Sequence, residues 1–541
     1  MSDNTKPDIL RSSSPLFNSI WPPILWVVIA LVPLFFVRDF LPANELRYIS
    51  IADEALANGQ IFAFTNQGMP YADKPPLYMW LVIISRWIAG DNCLWLISLF
   101  SLIPAVVIVL VMNKWSASLL PAPFRPMAAM LLLTCGLFTG MMVTLRMDML
   151  MTMWIVLALY EFYKWTKENN PSGRTKWFFP IYVFLAIFTK GPMGFLIPLV
   201  GTAVYLFVIG ELKSWFRYWN WRTWLLLLGL CAIWFSGVYL DGGKEYLDNL
   251  LFHQTMDRAV NSFHHKRPFH YYFTSMWYTF MPWAFLVLGS VIVALIKRKT
   301  EIRSDIERFY LSIGVTTIVM LSFVSGKLQV YLLPAYPFFV YYAAIFISRH
   351  EKSKWLKIAI AVPAAILSVA IAAIWVAGDM VKLMPWMSPI LYVVVAIVSL
   401  FGLVSLVLLW WRGGSVRISV MTLGYGLMLA VLVGAFAVSD MNPYIGYGNV
   451  CERVKPLIEQ NPRTEVYTWR VRRSENMDAY LGRDVTVVDA AKRGENGERL
   501  ATLRKGSLLI VPVEYKNDPY VRLGGYERLQ TVGNHLILEK K

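Results

Sequence analysis

The chain is divided by runs of roughly 20 apolar residues, and these runs restrict what it can become. A helix needs about 20 mostly apolar residues to cross the hydrocarbon of a bilayer. In lipid every backbone polar group must be paired within the protein, so such runs are read as spanning helices. They fall near residues 20–38, 94–113, 127–145, 148–165, 177–189, 192–210, 222–240, 273–296, 309–325, 328–348, 355–376, 389–411 and 418–438. Of the 541 residues 57% are hydrophobic and 16% charged, against about 25% charged in soluble domains. The expected fold class is a polytopic α-helical membrane protein with about thirteen transmembrane helices.

The basic residues give the orientation. The net charge of +16 is spread in short clusters between apolar runs rather than along one face, which argues against nucleic acid and for topology signals that also meet lipid head groups. With the N-terminus inside (Lys6, Arg11), the loops expected inside hold Lys114 and Arg125; Lys164, Lys167, Arg174 and Lys176; and Lys213, Arg217 and Arg222. Further on come Lys297 to Arg308, Arg349 to Lys354, and Arg412 with Arg417. Each is basic, as the positive-inside rule requires. Residues 177–210 are broken only by Thr189-Lys190-Gly191-Pro192; two short spans with an outer turn keep both flanking basic loops inside.

The outer segments are then 39–93, 241–272 and everything after about 439. Pro75 to Ala89 is apolar but short, and no basic loop follows it, so it is expected to lie at the outer interface. The first 18 residues carry no cleavage pattern of a signal peptide, and the first run is expected to be a retained span. Four scattered cysteines make neither a disulfide framework nor a CxxC site. The expected division is a membrane unit, 1–438, and a small α/β unit, 439–541. In the latter, helical patterns at Asn449 to Gln460 and Ser474 to Leu481 alternate with strand-like runs at Glu465 to Trp469, Val485 to Asp489, Ser507 to Val511 and His535 to Leu538.

Chemistry-bearing residues gather on the outer side. Tyr48, Ile51, Ala52, Ala55 and Leu56 recur at helical spacing up to Gly59, placing Asn44, Glu45 and Arg47 in a first turn at the mouth of the first span. Arg146 and Asp148 interrupt an apolar context, LRMDML, and Lys190 and Lys327 stand at other outer turns. Charge at that depth is costly and marks function or pairing; a long lysine can snorkel, whereas a short aspartate cannot. The segment from His253 to His270 adds Arg258, His264 and His265, and holds four of the chain's six histidines. Arg and Lys bind phosphate, a carboxylate can take a proton from a hydroxyl, and His with Asp can hold a divalent metal.

The strings NELRYISIADEAL, PYADKPPLYMW, LRMDMLMTMW, FTKGPMGFLIP, FHHKRPFHYY and KLQVYLLPAYP resemble, in this order, the C-type integral-membrane glycosyltransferases of the protein O-mannosyltransferase and lipid A aminoarabinose transferase kind. The bacterial aminoarabinose-transferase-like branch is the nearest in look. The resemblance covers residues 20–440 and implies a thirteen-span core with a soluble C-terminal domain. It further implies a polyprenyl-phosphate-linked sugar donor, inversion at the anomeric carbon, and a site facing the periplasm from a bacterial inner membrane. Aminoarabinose on lipid A is one outcome in the family; other sugars and lipid, glycan or protein hydroxyl acceptors occur in related branches.

Carried onto this chain, the family's acidic pair falls on Asn44 and Glu45. The first member is usually Asp, and an amide cannot act as base, so the role passes to Glu45 or to Asp148. Arg47 and Lys74 match residues that hold the donor phosphate, with Tyr71 and Tyr331 as helpers and Arg146, Lys190 and Arg258 as further substrate-binding candidates. Asp73 stands where the family usually has Glu, as a metal ligand with His265; a metal requirement is not uniform among such enzymes. A second reading, a transporter or flippase for a lipid-linked saccharide, expects polar or broken helices near mid-membrane and internal repeats. No repeat is visible in this sequence.

Overall fold

In the computed structural model, residues 18–168, 173–253, 266–376, 386–411, 414–488 and 500–541 are described. All thirteen apolar runs fold as helices or helix pairs. Among the described residues seven helices are long and apolar enough to cross a membrane: Leu94–Trp115, Trp221–Leu251, Asp305–Phe323, Gln329–His350, Lys354–Ala372, Ile390–Trp410 and Val416–Ala435. Ala122–Leu133 and Gly136–Val143, bent by 68° at a short break, pass the same test only when taken together. Trp21–Val37, Met193–Val208 and Ala284–Ile296 are shorter apolar helices. Two more, Met147–Lys167 and Gly173–Lys190, carry charges at their ends. Pro76–Ala89 is a 14-residue helix, too short to span unaided.

The charges sort to two ends of the helix bundle. At one end, Lys167 pairs with Asp305 at 2.5 Å, Arg349 with the buried Glu307 at 2.5 Å, and Arg417 donates to the Pro123 carbonyl. These are the loops that the charge pattern puts inside. Above them Trp115 is ringed by Tyr160, Tyr163, Phe309, Tyr310 and Phe338, which ties four helices together. At the other end lie Arg38, Glu45, Leu145, Asp148 and Lys190.

The run 177–210 folds back on itself as the charge pattern demands. Gly173–Lys190 ends at Gly191, whose φ of +85° suits only glycine, and Met193–Val208 returns alongside. A Cβ at Gly194 would stand 2.3 Å from the Ala186 backbone, so the absent side chain is what lets the two helices touch. This close hairpin presents Lys190 at its tip.

The tail forms a five-stranded sheet in the order Thr486–Val487, Val466–Thr468, Leu508–Pro512, His535–Lys540, Tyr526–Val532. The first two pairings are parallel and the last two antiparallel. Trp469, Leu509, Val511, Leu536 and Leu538 bury its own core. The four expected strands are present. The fifth, Tyr526–Val532, is a mostly exposed edge strand, and its polar sequence ERLQT lacks the apolar alternation that marks a strand.

Candidate active site

The site is built first on a buried ion pair. Arg38, at the end of the first helix, points its guanidinium at Glu45 with bonds of 2.6 and 3.1 Å, and its Nη2 also donates to the Val143 carbonyl. Glu45 accepts two more bonds, from the Leu41 and Leu145 amides at 2.8 and 2.7 Å, and is wholly buried. Its carboxylate therefore fastens the first span to the bend before Arg146. This is a frame, with each oxygen already holding two donors. Asn44 begins the helix Glu45–Asn58 without capping it through its side chain. Gly59, at φ +67°, ends that helix as the sequence indicates.

The chain then returns through a short hairpin, Thr65–Asn66 with Met69–Pro70, whose turn places Gln67 and Gly68 at positive φ. Glu54 accepts from the Thr65 hydroxyl and the Gln67 amide. Asp241, from the helix Trp221–Asp248, receives the amides of Ile61, Phe62 and Ala63 at 3.1, 2.7 and 2.8 Å. The Tyr246 hydroxyl donates to the Tyr71 carbonyl and accepts from the Phe64 amide. One spanning helix thus holds the strand that delivers Tyr71, Asp73 and Lys74.

Around this frame five chain segments bring charge together. The Arg47 guanidinium lies 5.4 Å from the Tyr71 ring and 6.0 Å from that of Tyr48, forms no ion pair among the described residues, and buries an unpartnered Nε. Lys74 Nζ stands 3.6 Å from Asp73. Asp148, 1% exposed, is paired with Arg146 at 3.3 Å and, on its other oxygen, with Lys190. The Lys190 ammonium also sits 4.5 Å from the Tyr331 ring. Arg47, Arg146, Asp148 and Asp73 all act on the Tyr48 hydroxyl, which burial pushes up to about 12 against the pull of the two arginines. Lys74 and Arg146 act on Lys190 in turn. Four cations facing two carboxylates leave a positive excess at this spot, the condition for holding a phosphate.

Of the candidates read from sequence, Arg47, Tyr71, Lys74, Arg146, Asp148, Lys190 and Tyr331 converge, with Asp73 beside them. Glu45 lies behind the cluster as its support. Lys327 is buried and donates to the Arg267 and Val324 carbonyls, so it pins the chain there instead of snorkelling. Arg258 and His265 lie outside the described residues. Among the described residues no three His, Cys, Asp or Glu side chains converge as a metal site, and Asp73 is the one described member of the expected metal pair. Sequence reasoning missed Arg38, Asp241 and Tyr246. Arg38 had a signal, a charge closing an apolar run; Asp241 and Tyr246 act through the fold alone.

No model of a protein family matches the chain. Among curated proteins, the undecaprenyl phosphate-alpha-4-amino-4-deoxy-L-arabinose arabinosyl transferase of Shewanella sediminis is 23% identical over 459 residues, 81% of this chain and 80% of the relative. The enzyme of that name from Edwardsiella ictaluri is 26% identical over 58% of this chain, which spans 56% of it. The crystal structure of ArnT from Cupriavidus metallidurans bound to undecaprenyl phosphate superposes with a TM-score of 0.74 at 18% identity, covering 96% of this chain and 97% of that one. The fold is that of the C-type membrane glycosyltransferases. Among the proteins with that fold named here, the chain's sequence similarity is to aminoarabinose transferases.

Proposed function

We propose that the protein transfers a sugar from polyprenyl phosphate to an acceptor at the outer face of a bacterial inner membrane, with inversion at the anomeric carbon. The named relatives favour 4-amino-4-deoxy-L-arabinose as the sugar and undecaprenyl phosphate as its carrier, and the resemblance favours lipid A as acceptor. The observation that carries this reading is the cation-rich cluster of Arg47, Lys74, Arg146 and Lys190 at the outer ends of the spans. Residues 1–438 form the catalytic membrane unit, and 439–541 a soluble unit on the same face.

In this mechanism Arg47 and Lys74 hold the donor phosphate and stabilise the negative charge that grows on it as the glycosidic bond breaks. Asp148 is the proton acceptor, since Asn44 has no basic oxygen and the Glu45 carboxylate is occupied. An arriving phosphate competes for Arg146 and Lys190, which frees the Asp148 oxygens for the acceptor hydroxyl. No step here runs through a metal.

The test is the purified protein with undecaprenyl-phosphate-linked aminoarabinose, followed by mass spectrometry with and without lipid A. Adding acceptor should release undecaprenyl phosphate and produce the modified lipid. Asp148→Asn should slow this about 100-fold or more. Movement of donor across a vesicle membrane without release of undecaprenyl phosphate would instead establish a carrier.

A further inference from the structure

A four-residue helix of the tail, Asp478–Leu481, reaches the outer pieces that surround the site. One oxygen of Asp478, Oδ2, accepts from the Ser50 hydroxyl at 2.8 Å and from the Gln67 side-chain amide at 2.5 Å. Gln67 donates again to the Glu475 carbonyl at 3.1 Å. Arg86, on the helix Pro76–Ala89, donates to the Ala479 carbonyl at 3.2 Å, and the Tyr480 hydroxyl bonds to Asp39.

The two donors to Asp478 lie on different arms of the site. Ser50 is buried and stands three residues after Arg47, one turn along the same helix. Gln67 occupies the turn of the hairpin that runs on to Tyr71 and Lys74, with the Tyr71 amide donating to the Phe64 carbonyl at 2.8 Å. Glu54 already ties the helix that carries Arg47 to this hairpin, and Asp478 adds a second bridge from the tail, one carboxylate oxygen joining the segment that carries Arg47 to the one that runs on to Lys74. The tail does not need this contact to stay attached, because Asp39 also accepts the Gly448 amide at 2.6 Å and Asn442 donates to the Val37 carbonyl at 2.7 Å. Those bonds lie by the end of the first span, away from both arms.

We propose that Asp478 is a positioning residue for the transfer reaction, by which the tail, together with Glu54, holds the distance between the two groups that take the donor phosphate. The inference rests on the assignment of Arg47 and Lys74 to phosphate. Two cations on separately tethered arms grip one phosphate well only when their separation is fixed in advance. A shift of about 1 Å is enough to cost a large factor in such sites.

The test uses the full-length protein in detergent, with undecaprenyl phosphate as the probe and binding followed by thermophoresis. Asp478→Ala should weaken binding about tenfold, while Asp478→Asn, whose amide oxygen can still accept from Ser50 and Gln67, should restore most of it. Arg47→Ala should cost less in the Asp478→Ala background than alone, because contacting or coupled residues are not additive. Hydrogen exchange over residues 60–74 should rise in Asp478→Ala while the sheet strands at 508–512 and 535–540 stay protected. Unchanged binding, additive losses, or faster exchange confined to the tail would each overturn the proposal. If the wild-type protein binds no undecaprenyl phosphate, the donor reading fails, and exchange over 60–74 alone then decides whether Asp478 holds the arms.

Discussion

Glu45 and Arg47 are two residues apart and take opposite parts. Glu45 is buried with four donors on its two oxygens, including the guanidinium of Arg38, itself barely exposed. Glu45→Gln leaves that arginine charge unpaired and turns an amide N–H₂ toward groups that are themselves donors. Removing one partner of a buried pair costs about 3–5 kcal/mol, so this variant should melt well below wild type and lose activity through instability. Arg47 makes no ion pair among the described residues and is held by aromatic faces. Arg47→Ala should therefore keep the wild-type melting temperature within a few degrees, yet raise the KM for the donor about 10- to 100-fold, the worth of one charge-assisted hydrogen bond. Melting curves set beside donor kinetics for the two variants separate the roles. A shared drop in melting temperature would mean that Arg47 too is part of the frame.

At the scale of elements, the helix Glu45–Asn58 was legible because its apolar residues recur every three or four positions and a glycine closes it. The short hairpin after it was not. Its strands are two residues each, and its shape comes from Glu54 and Asp241, which are distant in sequence or point from another element. The contact of tail and hairpin brings a pH dependence. Burial pushes the Asp478 carboxyl up to about 6 from its ordinary 3.8, opposed by hydrogen bonds from Ser50, Gln67 and the Ala479 amide and reinforced by Asp53. A carboxyl raised in the folded state holds its proton longer there than when undocked. Its contribution is thus fully present below about pH 4 and fades as pH rises through 6. Between these limits the melting temperature of wild type relative to Asp478→Asn should fall as the buffer is made less acidic, and above about pH 7 the difference should be flat. A difference that grows with pH, followed by circular dichroism from pH 4 to 8, would refute the raised value.

For the whole molecule, the arrangement of charges makes a checkable map. Lys167–Asp305 and Arg349–Glu307 gather at one end, Arg38–Glu45 and Lys190–Asp148 at the other. A membrane-impermeant maleimide should label cysteines placed at Gln60 or Gln530 in intact spheroplasts, and cysteines placed at Lys213 or Thr300 only after lysis. Labelling in the reverse order would invert the topology and move the cluster to the cytoplasmic face. The spans were legible in composition, because hydrocarbon excludes charge and unpaired backbone wherever it occurs, and that exclusion can be counted along a chain; the orientation expected from the basic loops is what the labelling decides. The phosphate-binding candidates were found from residue type and family likeness, since only cations grip a phosphate in this way. The division of labour among them belonged to the tertiary structure. Whether a carboxylate is a base or a strut depends on how many donors reach its oxygens, and the donors to Glu45, Asp148 and Asp478 come from residues up to 428 positions away. Burial and partner count are properties of the packed chain, so residue type could nominate these groups while only the fold shows which of their oxygens are already held.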